Sequence, residues 1–103
     1  MKIRELRLFA DVCDTGSLSA AAEANGMSVQ NVSKAILGLE GELGRRLFVR
    51  TSRGAESNDA ARAFLPYART ALKAFNLCES YAEVVRPDAD REGEDGGEGP
   101  WRA

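Results

Sequence analysis

Gln30 and Asn31 each carry an amide that donates and accepts at once, Ser33 adds a hydroxyl and Lys34 an ammonium, all within residues 30–34. A bidentate amide suits the N6/N7 edge of adenine, a lysine suits guanine or a phosphate, and Val29 or Leu37 close by suits a thymine methyl. Further along, LGRRLFVRTSRGA over residues 43–55 holds Arg45, Arg46, Arg50 and Arg53 with no acid among them. Such a local excess of guanidinium attracts phosphate. It matters more than the formal charge of −2 or the pI near 5.2, because screening confines the attraction to roughly 10 Å. Catalytic and metal chemistry lack their usual groups: histidine is absent and only Cys13 and Cys78 occur. That removes Ser-His and Cys-His nucleophile pairs and the common zinc sets. Each cysteine falls in an apolar helical pattern and reads as a small core residue. The chain is expected to be no enzyme and to need no cofactor and no metal.

Three helices must position these groups. Leu6, Phe9, Ala10 and Cys13 recur at helical spacing over residues 3–14 and give a first helix one apolar face. After the turn Thr15-Gly16-Ser17, Ser19 is the expected cap of a short helix from Ala20 to Asn25, stopped by Gly26. Ser28 then caps a third helix with the ladder Val32, Ile36, Leu39 and Leu43, ended by Gly44. Two helices joined by Gly26, Met27 and Ser28 predict a helix-turn-helix. In that geometry the second helix enters the major groove. The stripe Gln30, Ser33, Lys34 and Leu37 lies opposite the apolar ladder, so it is the face that would meet base edges, with Ser28, Val29 and Asn31 at the helix start.

The next segment alternates like a small hairpin: a run from Leu47 to Arg50, a Thr51-Ser52-Arg53-Gly54 turn and a second run from Ala55 to Ser57. Arg50 and Arg53, on either side of Thr51, would project from this wing along a minor groove. Arg45 and Arg46 have two readings of equal weight, a phosphate contact or complementing the end of a helix dipole. Asn58 or Ser57 caps a long helix to about Val85, some ~40 Å. Phe64, Ala68, Ala71, Phe75, Cys78, Ala82 and Val85 form a heptad seam on it, widened by Leu65 and Leu72, and predict a dimer interface. Pro66 costs that helix one hydrogen bond or bends it.

At 103 residues the chain holds one domain. The expected fold class is mainly α: a winged helix-turn-helix over residues 1–57, made of three helices plus a small β-hairpin, followed by a long dimerisation helix over 58–86. Residues 87–103 carry six acids against two arginines, with four glycines, and are expected to be a disordered acidic tail. Residues 1–86 carry the opposite excess, twelve Lys and Arg against ten Asp and Glu. No apolar run approaches the ~20 residues that span a bilayer. Charges throughout the first fourteen residues do not fit the uninterrupted apolar stretch of a secretory signal, and none is expected. A cytoplasmic protein with no membrane partner is the expectation.

Several runs are similar to a known family. They are Leu6-Arg7-Leu8-Phe9, Gly16-Ser17-Leu18-Ser19-Ala20-Ala21-Ala22, Val32-Ser33-Lys34-Ala35-Ile36, Leu39-Glu40, Glu42-Leu43-Gly44, Arg46-Leu47-Phe48-Val49-Arg50 and Arg53-Gly54. In this order they closely resemble the N-terminal winged helix-turn-helix domain of LysR-type transcriptional regulators, over roughly residues 3 to 85. The resemblance implies a sequence-specific regulator that binds pseudo-palindromic double-stranded DNA as a homodimer, through the long helix. It implies base contacts from Ser28, Val29, Gln30, Asn31, Ser33 and Lys34, and backbone contacts from Ser19, Arg50 and Arg53. The family commonly has glutamine where Val29 stands and a basic or polar residue where Leu37 stands, so its base preference does not transfer. Asn58-Asp59-Ala60-Ala61 replaces a threonine-glutamate-alanine-glycine start of the dimer helix. Family members continue into an effector domain of about two hundred residues. Its absence from these 103 residues leads us to expect no small-molecule effector. The alternatives to a homodimer are a higher oligomer or a heterodimer that modulates a full-length relative.

Overall fold

The computed structural model of the protein describes residues 1–86; the expected acidic tail lies outside the described residues. The order is α1 (Ile3–Thr15), α2 (Leu18–Ala24), α3 (Val29–Leu43), β1 (Phe48–Thr51), β2 (Gly54–Ser57) and α4 (Asp59–Val85). This is the winged helix-turn-helix followed by a long helix that the sequence predicts. α1 is the central helix and packs on α2, α3 and α4. It therefore buries Leu8 and Val12 as well as the expected Leu6, Phe9 and Ala10, and leaves Cys13 partly buried. The Phe9 ring tilts against Phe48 at 5.7 Å and against Phe64 at 5.4 Å, so one aromatic joins the wing and the long helix to α1.

Helix ends follow local chemistry, with one correction. Ser17, not Ser19, caps α2: its hydroxyl accepts the Ala20 N–H at 3.0 Å. Leu18 thereby enters the first turn and Ser19 is left exposed. Ser28 caps α3 as expected, accepting the Asn31 N–H at 3.1 Å, and Gly44 closes it in the left-handed conformation. Asn58, rather than Ser57, caps α4, accepting the Ala61 N–H at 2.9 Å while its amide donates to the Arg46 carbonyl at 2.8 Å. α4 runs unbroken through Pro66.

The wing begins one residue later than the alternation suggests, at Phe48, because Leu47 is fully buried in the core. Its strands are antiparallel, with Phe48 opposite Ser57 and Thr51 opposite Gly54, leaving Ser52 and Arg53 as the loop. Two contacts fix its base. The Glu40 carboxylate, buried at the end of α3, accepts the Leu47 N–H at 2.7 Å. The Ala55 N–H donates to the Gly16 carbonyl at 3.0 Å, and this close approach requires the neighbouring residue to be glycine. Gly54 has φ 125°, and a Cβ there would run into the Gly16 carbonyl oxygen.

A candidate nucleic-acid interface

On α3 the core ladder Val32, Ile36 and Leu39 is buried, and Gln30, Asn31 and Lys34 are exposed on the other side, with Ser33 between. Val29 and Leu37 are 37% and 62% exposed, so neither is used by the fold. The wing reaches this face. Arg50 lines one open cleft of about 340 Å³ together with Val29, Gln30, Ser33, Lys34 and Leu37. A smaller neighbouring cleft brings Ser19 beside Arg50 and Val29. Neither Lys34 nor Arg50 has a carboxylate partner among the described residues. The Thr51 hydroxyl donates to Glu56 at 3.2 Å and accepts the Arg53 N–H at 3.1 Å, which orders the wing tip. Arg53 lies 3.9 Å from Glu56 and is almost wholly solvated, so that ion pair is weak and easily exchanged for a phosphate. Arg46 stands 3.9 Å from the buried Glu40, an ion pair rather than a dipole contact, and Arg45 lies exposed beyond the last turn of α3, which itself holds no basic residue.

The sequence reading gave no role to Lys2 and Arg4. Both line a groove on the other flank of α3, shared with Asn31 and Lys34. Their tertiary approach has no signature in sequence spacing, since residues 2 and 34 lie on different helices.

The heptad seam of α4 divides. Ala68 is 1% exposed and belongs to the core of its own subunit, and Phe64 is half-buried where it packs on Phe9. Ala71 and Leu72 pack against that core, and Phe75 lies beneath the Arg7 guanidinium at 5.9 Å. Asp14 accepts a 2.6 Å hydrogen bond from Arg69, which latches the same face to α1. Ala82 and Val85 remain exposed, and so does Cys78, which is therefore not the core residue that its helical pattern suggests. The stripe left open runs one residue earlier, through Ala63, Tyr67, Ala74, Leu77, Tyr81 and Val84. It is also heptad-spaced.

A three-helix body with the second helix of its helix-turn-helix exposed, a hairpin bolted beside that helix and a long helix behind defines a winged helix-turn-helix domain. The family model for bacterial regulatory helix-turn-helix proteins of the lysR family matches residues 3–62. The chain belongs to the LysR family. Similar proteins include the nitrogen assimilation regulatory protein nac of Klebsiella aerogenes, 36% identical over 71% of this chain and 24% of that protein. The transcriptional regulator IlvR of Caulobacter vibrioides is 37% identical over 84% of this chain and 29% of its own length. The chain spans between about a fifth and a third of the length of the curated relatives it matches. Among solved structures, the CbnR_DBD–DNA complex superposes with a TM-score of 0.75 at 30% identity, covering 84% of this chain and all of that one. The BenM_DBD/benA site 1 DNA complex gives 0.74 at 29% identity, covering 82% of this chain and 99% of that one.

Proposed function

We propose that the protein is a transcriptional regulator whose described residues bind double-stranded DNA sequence-specifically as a two-fold dimer. The observation that carries this reading is the convergence of α3's exposed stripe and the wing's Arg50 on one cleft. With α3 in the major groove, Gln30 and Asn31 meet base edges, Ser33 and Lys34 follow, and Val29 and Leu37 offer apolar contact to thymine methyls. Ser19, Ser28, Arg50, Thr51 and Arg53 serve the phosphates and fix register. Two similar domains, CbnR_DBD and BenM_DBD, are solved as complexes with DNA, which supports this assignment. All these groups are solvent-accessible in the free chain or joined only to near neighbours, so they are open to DNA without rearrangement of the described residues. The partner subunit covers the open stripe of α4, where Leu77 and Tyr81 are 63% and 68% exposed, with Cys78, Ala82 and Val85 at its margin.

The test is a gel-shift titration on duplexes selected from a randomised pool, repeated across salt concentrations, beside sedimentation of the free protein. Specific binding should exceed that of scrambled duplex by about 10³-fold or more. It should weaken steeply with salt, with a slope near −0.9 per phosphate contacted. Leu77→Asp should convert a dimer to a folded monomer that binds poorly. Equal affinity for all duplexes defeats the specific reading. A wild-type monomer at working concentration defeats the dimer, and a mixed dimer formed with a longer relative in its place favours the heterodimer.

A further inference from the structure

We propose that Lys2 and Arg4, beside the base-reading Lys34, form a second phosphate-binding edge, which grips the DNA strand on the side of α3 opposite the wing. This rests on the DNA-binding reading above. An open groove of about 650 Å³ runs between the first turn of α1 and α3, and Lys2, Arg4, Met27, Asn31, Lys34 and Gly38 border it. Its one carboxylate, Glu5, is engaged, accepting the Lys2 backbone N–H at 3.0 Å. Among the described residues none of the three cations is ion-paired. Arg4 finds only the Met27 sulfur, at 3.6 Å, a weak neutral acceptor that leaves the charge uncompensated.

Folding does not account for these cations. Lys2 is the N-cap of α1 and Arg4 lies in its first turn, the positive end of the helix dipole, where a cation is unfavourable. Met27 belongs to the turn that leads into α3, so its contact holds the Arg4 guanidinium beside the start of the reading helix. Gly38 lies in mid-α3 with no side chain to project into the groove, and only Glu5 would come within contact of a Cβ there, at 3.5 Å. The groove is also continuous with the base-reading stripe, because Asn31 and Lys34 belong to both. At 100° per residue, Val29, Ser33 and Leu37 lie toward the wing while Asn31, Ala35 and Gly38 lie toward α1. A helix seated in the major groove has a phosphate backbone on each flank. Arg50 and Ser19 serve one, and Lys2 and Arg4 stand at the other.

The experiment uses the full chain with Lys2→Gln, Arg4→Gln and Arg4→Lys, titrated on the selected duplex and on scrambled duplex at 50 and 200 mM salt. A second duplex series carries single neutral methylphosphonates along the backbone that borders the half-site. Each Gln variant should weaken all duplexes alike. Between the two salt concentrations it should lose roughly threefold less affinity than wild type for each phosphate released. Arg4→Lys should restore the salt slope, which a merely structural arginine would not do. One methylphosphonate position should weaken the wild type and leave the Arg4→Gln variant unaffected. Unchanged affinity and slope in both Gln variants, with wild type binding normally, would overturn the proposal. So would a loss confined to one base sequence. Failure of the wild type to bind any duplex would instead refute the DNA-binding reading itself.

Discussion

The same chemical change, glycine to alanine, should have opposite effects at two positions on either side of the start of the wing. Gly41 lies in the last turn of α3 and is exposed, with no heavy atom near enough to meet a new Cβ. Alanine there removes the entropic penalty of a helical glycine, and Gly41→Ala should stabilise the fold by about 1 kcal/mol. Gly54 has φ 125° and backs onto the Gly16 carbonyl oxygen, a backbone atom that cannot swing aside. Alanine there carries a strain of about 1–2 kcal/mol for an L-residue at positive φ. It also disrupts the Ala55 N–H to Gly16 hydrogen bond, worth about 0.5–1.5 kcal/mol. Gly54→Ala should therefore cost roughly 2–3 kcal/mol. For a domain of this size each kcal/mol moves Tm by about 4–8 °C. Thermal unfolding followed by circular dichroism, at one fixed protein concentration because dimers melt higher when concentrated, should separate the variants by more than about 10 °C. Gly54→Ala should also weaken DNA binding, since Arg50 pairs with Ala55 on the other strand of the hairpin it dislodges. A Gly54→Ala protein as stable as wild type, or a Gly41→Ala protein less stable, would refute this account of how the wing is held.

Two further outcomes follow from single side chains. If Leu37 touches a thymine methyl, replacing that thymine by deoxyuridine should cost about fourfold in affinity, the value of one methyl group at about 0.8 kcal/mol. In Leu37→Ala the same replacement should cost nothing; titrations of both proteins on both duplexes read this directly, and equal losses would exclude the contact. The Cys13 thiol is pushed above its ordinary pKa, first by burial, with Asp14 adding to the rise against the opposing Ser57 hydrogen bond and Arg69. Its stabilising effect is present below the unfolded thiol's pKa, and it is lost as pH rises through the higher folded value, because the unfolded chain ionises first. Iodoacetamide should therefore modify exposed Cys78 well before Cys13 at mildly alkaline pH, and removing the Cys13 thiol as Cys13→Ala should flatten the decline of stability at high pH. Equal alkylation rates would contradict the burial.

Local chemistry made most of this fold legible. Ser28 and Gly44 bracket α3, and Gly16 and Gly26 end α1 and the α2 turn, because caps and left-handed stops depend on few neighbouring residues. The misplaced α2 cap has a local cause too. Ser17 and Ser19 are equally good caps, and a helix of seven residues is too short for its periodicity to choose between them. Thr15 tips the choice in three dimensions, its hydroxyl accepting the Ser17 N–H at 3.2 Å. The reading stripe on α3 was legible because its opposite face, the ladder, is purely apolar. Lys2 and Arg4 escaped because what matters about them is an approach between two helices.

The divided seam of α4 follows from the same distinction and carries a consequence. Stripes through residues 64, 68, 71 and 75 and through 63, 67, 74 and 77 are one residue, or about 100°, apart, and both are apolar enough to bury. A heptad count cannot say which of two adjacent apolar stripes meets the chain's own α1 and which meets another molecule. Phe9 decides it, by standing where Phe64 can reach it at 5.4 Å. The helix thus has separate faces for separate tasks. A large side chain at Ala68, which is without exposed surface, has to push α1 and α4 apart and damages the fold that presents α3. A charge at Leu77 touches nothing within the subunit's core and acts only where a second subunit would cover it. Under the proposed dimer, folding and assembly are separable in this helix because its two apolar stripes face different ways.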